Sequence, residues 1–221
     1  MAMSNSVWTR QGAGTLSKNL YAFLICMWTA VGIGASAVAA SLSRNWGLDW
    51  LLMIGSLVFA IIGVIISAKS DNPAISFMGF MLVAVPFGLL LGPVVSLYTD
   101  ASVARVLTLT TVIVVVLGII GAVVPASLES WRGWLFGGLL LLLGGMFLVP
   151  LMGLFGVHIG GALTALDWFG VVLFGGYVIY DLNRAMRIAY TLDNSVDAAV
   201  AIYLDFFNIF IRLLSLLGEK D

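Results

Sequence analysis

The stretch that decides the fold is the apolar segment Ala198–Leu217, which reads AAVAIYLDFFNIFIRLLSLL. It holds 20 residues and only two charged side chains, those of Asp205 and Arg212. A helix of about 20 mostly apolar residues crosses the roughly 30 Å hydrocarbon core of a bilayer. An ionisable side chain inside that core is costly and marks a functional position by default. The segment therefore predicts both a membrane-spanning helix and a functional site.

Six further apolar segments of similar length precede this one. The chain has 221 residues, of which 62% are hydrophobic and 10% charged, whereas a soluble domain carries about 25% charged residues. Since backbone polar groups in hydrocarbon must pair within their own segment, each span is expected to be helical. The sequence predicts an all-α polytopic membrane protein, with seven transmembrane helices in residues 19–221 after a polar tail in residues 1–18. The six segments are Leu20–Ser43, Leu48–Ala68, Ala74–Leu97, Ala101–Val124, Trp134–Phe155 and Gly161–Tyr180.

The charge balance and the scarcity of cysteine and histidine exclude several classes of function. The net charge is −1, so no basic surface points to nucleic acid. Cys26 and His158 are the only residues of their types, which excludes metal sites built on several thiolates or imidazoles and argues against a Ser-His-Asp triad. We expect a protein that is not an enzyme, that has no resident cofactor, and whose surroundings are the lipid bilayer.

The distribution of basic residues in the loops predicts the orientation. Lys and Arg are more frequent in cytoplasmic loops than in loops on the other side. With the N-terminus inside, six basic residues fall on the inner side and three on the outer side, which predicts a cytoplasmic N-terminus and an outside C-terminus. The inner residues are Arg10, Lys18, Lys69, Arg132, Arg184 and Arg187, and the outer residues are Arg44, Arg105 and Lys220.

Asp205 begins a polar stripe on the last span. It is the eighth residue of that segment, about 12 Å from its start at 1.5 Å per residue and therefore near the middle of the hydrocarbon core. Asn208, Arg212, Ser215 and Glu219 follow at intervals of 3, 4, 3 and 4 residues. Such a stripe is expected to face the bundle interior or a wet cavity. The sequence names no partner for Arg212.

Asp181, at the inner end of the sixth span, is the second candidate. It could simply be a helix-end carboxylate paired with Arg184. However, the segment Thr191–Asp197 reads as a turn followed by a helix cap, and Asp193 lies 12 residues from both Asp181 and Asp205. An antiparallel hairpin about that point would place the two carboxylates at one depth.

Two carboxylates in contact in a low-dielectric site cannot both ionise cheaply, so they hold one proton between them and titrate as a unit. Loss of that proton leaves two adjacent negative charges that must separate, admit water or recruit a cation. Ca²⁺ favours clustered carboxylate and carbonyl oxygens. The pair Asp181 and Asp205 is therefore predicted to be a pH sensor and a site that Ca²⁺ can occupy.

The chain resembles the Bax inhibitor-1 family, also called the transmembrane Bax inhibitor motif family, in its bacterial YccA/YetJ-like branch. The resemblance covers nearly the whole chain. It is most specific at GLLLGP in residues 88–93, at AIYLDFFNIF in residues 201–210, and at LLSLLG in residues 213–218. The dipeptide Tyr180-Asp181 also matches the aspartate that the family has at the end of the sixth helix.

The resemblance implies a seventh helix at the centre of the bundle and a slow, pH-sensitive Ca²⁺ leak across the membrane. It assigns the two sensor positions to Asp181 and Asp205, and it implies the bacterial inner membrane as the location. Family members also carry a basic latch residue near the end of the second helix. The nearest candidate is Lys69, which lacks the bidentate fork of arginine.

Three alternatives stay open. The first is a regulatory membrane protein that conducts no ions and binds a membrane AAA protease of the FtsH type, with the polar tail 1–18 as the segment that the protease grips. The second is an intramembrane aspartyl protease, although Asp205 lacks the Gly-x-Gly that precedes the aspartate of such enzymes. The third is a secondary transporter, for which the sequence shows no inverted repeat.

Overall fold

The computed structural model describes residues 15–47, 49–156 and 158–220. Seven α-helices account for most of this part of the chain, and all seven are long and apolar enough to cross a membrane. The all-α prediction with seven spans is therefore confirmed. The helices are α1 (Lys18–Ser43), α2 (Trp50–Lys69), α3 (Pro73–Val95), α4 (Asp100–Val123), α5 (Trp131–Gly153), α6 (Gly160–Ala185) and α7 (Leu192–Leu217).

Polar residues in the connections start four of these helices. The side chains of Ser17, Asp49, Asn72 and Thr99 each accept a hydrogen bond from a backbone N–H in the first turn of the helix that follows. Such caps satisfy donors that have no partner inside the helix. Pro73 at the first position of α3 has no N–H to satisfy.

The sixth and seventh helices extend beyond the predicted segments. Helix α6 continues five residues past Tyr180, and α7 begins six residues before Ala198. Thr191 caps α7, because its Oγ1 accepts a hydrogen bond from the N–H of Asn194 at 3.1 Å. The prediction that Thr191–Asp197 is a turn followed by a cap is therefore wrong. An apolar segment ends at the first polar residues, whereas backbone hydrogen bonding continues through them.

The helices group into two compact units, and the boundary passes through α7. The first unit contains α1, α2, α3 and α7 as far as Tyr203. The second contains α4, α5, α6 and α7 from Leu204 onward. In its most apolar window α7 is 56% buried, against 11% to 33% for the other six helices. Among the seven described helices, α7 is thus the one whose apolar window is most buried.

Small residues let α1 and α3 pack closely in the first unit. A Cβ at Gly88 would overlap with the backbone of Ser36, so the first glycine of the GLLLGP motif is required by this approach. The Oγ of Ser36 donates to the carbonyl of Ala84 at 2.8 Å and lies 2.7 Å from the hydroxyl of Tyr203 on α7. The small-residue face therefore also positions the first half of α7.

The described residues before α1 and after α7 each form hydrogen bonds with a connection between two other helices. In the first unit, the N–H of Leu16 donates to the carbonyl of Tyr190 at 2.6 Å, which sets the start of α1 beside the α6–α7 connection. In the second unit, the N–H of Glu219 donates to Ser102 at 2.8 Å, and the carbonyl of Glu219 accepts from Thr99 at 3.0 Å. The end of α7 therefore lies beside the α3–α4 connection.

Candidate functional site

The second unit brings the two predicted sensor carboxylates together. Asp181 lies four residues before the end of α6, and Asp205 lies in the middle of α7. A side-chain hydrogen bond joins them. An ionised carboxylate can only accept hydrogen bonds, so this contact requires one of the two groups to hold a proton. The contact, which lies within two membrane-spanning helices, suits the shared proton that the sequence predicts.

Asp205 is the more enclosed member of the pair. Its residue surface is 4% exposed, and its Oδ2 has no hydrogen-bond partner among the described residues. Leaving a buried polar atom unpaired costs roughly 1–3 kcal/mol. Tyr177, one turn before Asp181 on α6, lies within electrostatic reach of both carboxylates.

The carboxylates meet although Asp193 is not the midpoint of a hairpin. Asp205 lies 13 residues after the start of α7, whereas Asp181 is four residues from the end of α6. At 1.5 Å per residue the difference is about 14 Å along the helices. The six-residue connection 186–191 can span about 20 Å when extended. It therefore supplies the offset that the predicted symmetric turn does not.

The end of α6 is fixed by a buried amide two residues beyond its sensor aspartate. The Nδ2 of Asn183 lies 3.1–3.2 Å from the carbonyls of Gly121, Val124 and Ala126, and its Oδ1 accepts from the N–H of Leu128 at 3.1 Å. Asn183 is 2% exposed. This set of bonds ties α6 to the α4–α5 connection and so positions Asp181.

Three members of the polar stripe on α7 have partners that can now be named. Asn208 donates from Nδ2 to the carbonyl of Leu204, one turn earlier, at 2.8 Å. Arg212 forms an ion pair with Asp167 of α6, with 3.2 Å between Nη1 and Oδ1, and Ser215 donates to the other carboxylate oxygen at 2.8 Å. The side chains of Arg212 and Asp167 are 11% and 14% exposed.

Sequence reasoning missed Asp167. The available signal was an acidic residue inside the sixth apolar segment, seven residues after the start of α6 and 14 before Asp181. Its link to Arg212 spans 45 residues of chain, so no local pattern pairs them. Gly170 and Phe174, one and two turns further along α6, complete the surroundings of the guanidinium, which lies 5.8 Å from the Phe174 ring centroid.

Lys69, the predicted latch, is the last residue of α2, and its side chain is exposed. It belongs to the first unit, whereas Asp181 and Asp205 belong to the second. A latch role for Lys69 stays a prediction.

Two acidic residues near the start of α7 have serine partners in the first unit. Asp193 accepts a hydrogen bond from Ser76 of α3 at 2.6 Å, and Asp197 accepts one from Ser67 of α2. These contacts join the first turns of α7 to α2 and α3.

Asp181 and Asp205 offer carboxylate oxygens, the type of ligand that Ca²⁺ prefers. No group of three or more His, Cys, Asp or Glu side chains that could hold a metal ion occurs among the described residues. Two carboxylates offer at most four oxygens, whereas Ca²⁺ takes six to eight, completed by carbonyls and water. The two carboxylates therefore supply only part of the coordination shell that Ca²⁺ requires.

Comparison with known proteins assigns the chain to a family. The family described as inhibitor of apoptosis-promoting Bax1 matches residues 14–221. The inner membrane protein YbhL of Escherichia coli K12 is 25% identical over 96% of this chain and 94% of its own length. An uncharacterized membrane protein of Vibrio cholerae is 26% identical over 92% of this chain and 85% of its own. Bax inhibitor 1 of Schizosaccharomyces pombe is 27% identical over 76% and 62%. The chain is an integral membrane protein and belongs to this Bax inhibitor family.

Proposed function

We propose that the protein is a pH-sensitive Ca²⁺ leak channel, gated by the proton shared between Asp181 and Asp205. The hydrogen bond between these carboxylates, inside two membrane-spanning helices, is the observation that carries the proposal. The enclosure of Asp205 supports it, because a second negative charge is costly at a position that is 4% exposed and lies beside another carboxylate. The bacterial inner membrane, with a cytoplasmic N-terminus and an outside C-terminus, is the proposed location.

Proton loss supplies the driving force for opening. While the pair holds its proton, one negative charge is shared and the hydrogen bond keeps α6 and α7 together at this depth. After deprotonation, two unit charges 4 Å apart repel by about 4 kcal/mol at an effective dielectric constant of 20. The carboxylates then separate and draw in water and a divalent cation. We therefore expect Ca²⁺ flux to rise as the pH rises through the titration of the pair.

Purified protein in liposomes loaded with a Ca²⁺ indicator tests the proposal. Flux is measured from pH 5 to pH 8 for the wild type, Asp205→Asn and Asp205→Ala. Both variants should lose the pH-dependent component, because neither replacement can ionise. Asp100→Asn is the matched control, since it removes an exposed carboxylate at the start of α4. Wild-type flux and pH profile in Asp205→Ala would show that the pair is not the gate.

The alternative proposal is that the protein regulates a membrane AAA protease of the FtsH type without conducting ions. It relies on the polar tail 1–18, of which residues 1–14 lie outside the described part of the chain. Leu16 and Ser17 anchor α1 through backbone and capping bonds, so a clean truncation ends at residue 14. Loss of protease capture by the chain lacking residues 1–14, with flux intact, would favour this role for the tail.

A further inference from the structure

We propose that Arg212 is a tethered cation that occupies the carboxylate of Asp167 and must be displaced before a permeating cation can pass. This inference rests on the proposed Ca²⁺ leak and adds a second control point to it, on the Glu219 side of the sensor pair. The geometry that points to it is a buried ion pair between α6 and α7 that uses only part of the hydrogen-bonding capacity of the guanidinium.

The ion pair between Arg212 and Asp167 is expected to contribute little to stability by itself. Both side chains are nearly enclosed, and the desolvation of buried charges offsets much of their mutual attraction. Arginine carries five N–H donors, yet the Nε of Arg212 is buried without a partner among the described residues. A pair that served only to hold α6 against α7 would be expected to satisfy that donor.

The position of Arg212 on α7 places it in the way of a cation. Asp205, Asn208, Arg212 and Ser215 share one face of the helix at intervals of 3, 4 and 3 residues, and Arg212 is the positive member of that face. A cation that moves along it from Asp205 toward Glu219 must pass the guanidinium. The oxygens that it would meet there belong to Asp167 and Ser215, which are already in contact with each other.

Hard cations prefer this kind of oxygen ligand, and the carboxylate of Asp167 is the site for which Arg212 and Ca²⁺ would compete. The guanidinium already has a second favourable contact beside Asp167. The ring centroid of Phe174 lies 5.8 Å from the guanidinium carbon of Arg212, and an arginine over an aromatic face gains roughly 0.5–2 kcal/mol. An arginine that leaves Asp167 and stays over this ring therefore keeps part of the stabilisation of its charge.

Gly170 makes the resting position of Arg212 possible. A Cβ at residue 170 would overlap with the Nε, Cδ and Cζ atoms of Arg212. These atoms form the far end of a flexible side chain, so an alanine at this position should push the guanidinium away from Asp167 and leave the backbone in place. Gly161, on the same helix, has open space where its Cβ would lie, which makes Gly161→Ala a matched control.

Ca²⁺ flux in the same liposomes, at the pH of half-maximal wild-type flux, tests the inference. We expect Arg212→Gln and Gly170→Ala each to raise flux at least threefold, because Asp167 becomes available to Ca²⁺. Gly161→Ala should match the wild type. Asp167→Asn should lower flux below wild type, because it leaves the positive charge of Arg212 unpaired. The pH midpoint should stay the same in all variants, since Asp181 and Asp205 set it.

The double variant Gly170→Ala with Arg212→Gln separates displacement of the arginine from any other effect of the alanine. It should conduct no faster than Arg212→Gln alone, because no guanidinium remains to displace. Unchanged or reduced flux in both Arg212→Gln and Gly170→Ala, with wild-type flux still dependent on Asp205, would overturn the inference and leave the leak standing. Wild-type flux that ignores Asp205→Asn would instead refute the leak itself. Should Arg212→Gln fail to fold, Gly170→Ala decides the question alone.

Discussion

At the scale of single residues, contact matters more than burial. Asp205 is nearly inaccessible, which alone would suit a structural carboxylic acid. Its hydrogen bond to Asp181 places a second carboxylate beside it, which is the contact that the proposed gate requires. Arg212 is similar: burial alone would mark a structural ion pair, whereas its proposed displacement relies on an Nε without a partner among the described residues and on its close approach to Gly170.

Asp181→Asn should flatten the pH dependence of Ca²⁺ flux between pH 5 and pH 8. The amide can still hydrogen bond to Asp205, but a single remaining carboxylate has no second charge to repel it. The pair can then no longer switch between one negative charge and two. Flux measured across the pH range on liposomes checks this. A wild-type midpoint in the variant would mean that Asp205 titrates without its neighbour.

Lys69→Gln tests the predicted latch. A latch would favour the closed state by attracting the sensor carboxylates, so removing its charge should raise flux two- to fivefold at every pH, which corresponds to about 0.4–1 kcal/mol. Lys18→Gln is the control, because it removes another exposed ammonium, at the start of α1. Equal flux in Lys69→Gln and Lys18→Gln would remove Lys69 from the mechanism.

At the scale of helices, the decisive interactions lie at the helix ends and at points of close approach. Helix α6 ends in a buried amide that binds the α4–α5 connection, and α1 meets α3 through glycine and serine. Helix α7 is divided between the two units. Its first half is held by Ser36, Ser67 and Ser76, and its second half carries the functional polar stripe. Serine hydroxyls suit these positions, because they are small and can donate to buried acceptors.

Asn183→Ala should destabilise the protein and disturb the site together. The substitution removes the partner of the three carbonyls and the one N–H that Asn183 binds at the end of α4 and in the α4–α5 connection. Each of these buried groups that water cannot reach would cost about 1–3 kcal/mol when unpaired. We expect a lower thermal unfolding temperature in detergent and a shifted pH midpoint of flux. Ser127→Ala, in the exposed part of the same connection, should change neither quantity. A normal midpoint in Asn183→Ala would show that the amide does not position Asp181.

Gly88→Ala should destabilise the first unit by about 1–3 kcal/mol, the usual cost of overpacking. The new methyl group would overlap with the backbone of Ser36 and with the side chain of Ala39, and the backbone cannot move aside cheaply. Gly34→Ala is the control, since a Cβ at Gly34 meets nothing within 4 Å. Thermal unfolding in detergent distinguishes the two, and equal unfolding temperatures would contradict the packing role assigned to the GLLLGP motif.

At the scale of the whole molecule, the basic loop residues predict the orientation, and an odd number of spans would place the termini on opposite sides of the membrane. The six-to-three distribution of basic loop residues predicts a cytoplasmic N-terminus. The contacts of Glu219 with Ser102 and Thr99 agree with seven crossings, because they join the end of α7 to the α3–α4 connection. Which of the two sides is cytoplasmic is a matter for experiment.

Labelling with a membrane-impermeant maleimide tests the orientation. In a Cys26→Ser background, which removes the single native cysteine, Lys220→Cys should react in intact cells. Asp71→Cys, in the exposed α2–α3 connection, should react only after permeabilisation. The reverse labelling pattern would show that the protein has the opposite orientation in the membrane. Equal labelling of both positions in intact cells would contradict the seven-span topology.

The sequence alone determined the class of fold and the seven spans, and it named the two aspartates that the structure brings together. This was possible because an apolar span, and a charged residue inside it, can both be recognised from a short stretch of sequence. A 20-residue apolar segment marks a span, and Asp205 stands out within it. The same local reasoning placed the start of α7 six residues too late, because it responds to side-chain polarity, whereas the backbone hydrogen bonds of the helix pass through Asp193 and Asp197.

Only the tertiary structure decided which polar groups meet. Whether Asp181 faces Asp205 depends on the rotation of α6 and α7 about their axes, which packing fixes and local sequence does not. The link between Arg212 and Asp167 joins residues 45 positions apart and is possible only where Gly170 leaves room. Composition thus determined where charges are costly, and the packing of the helices determined which of the charged groups meet.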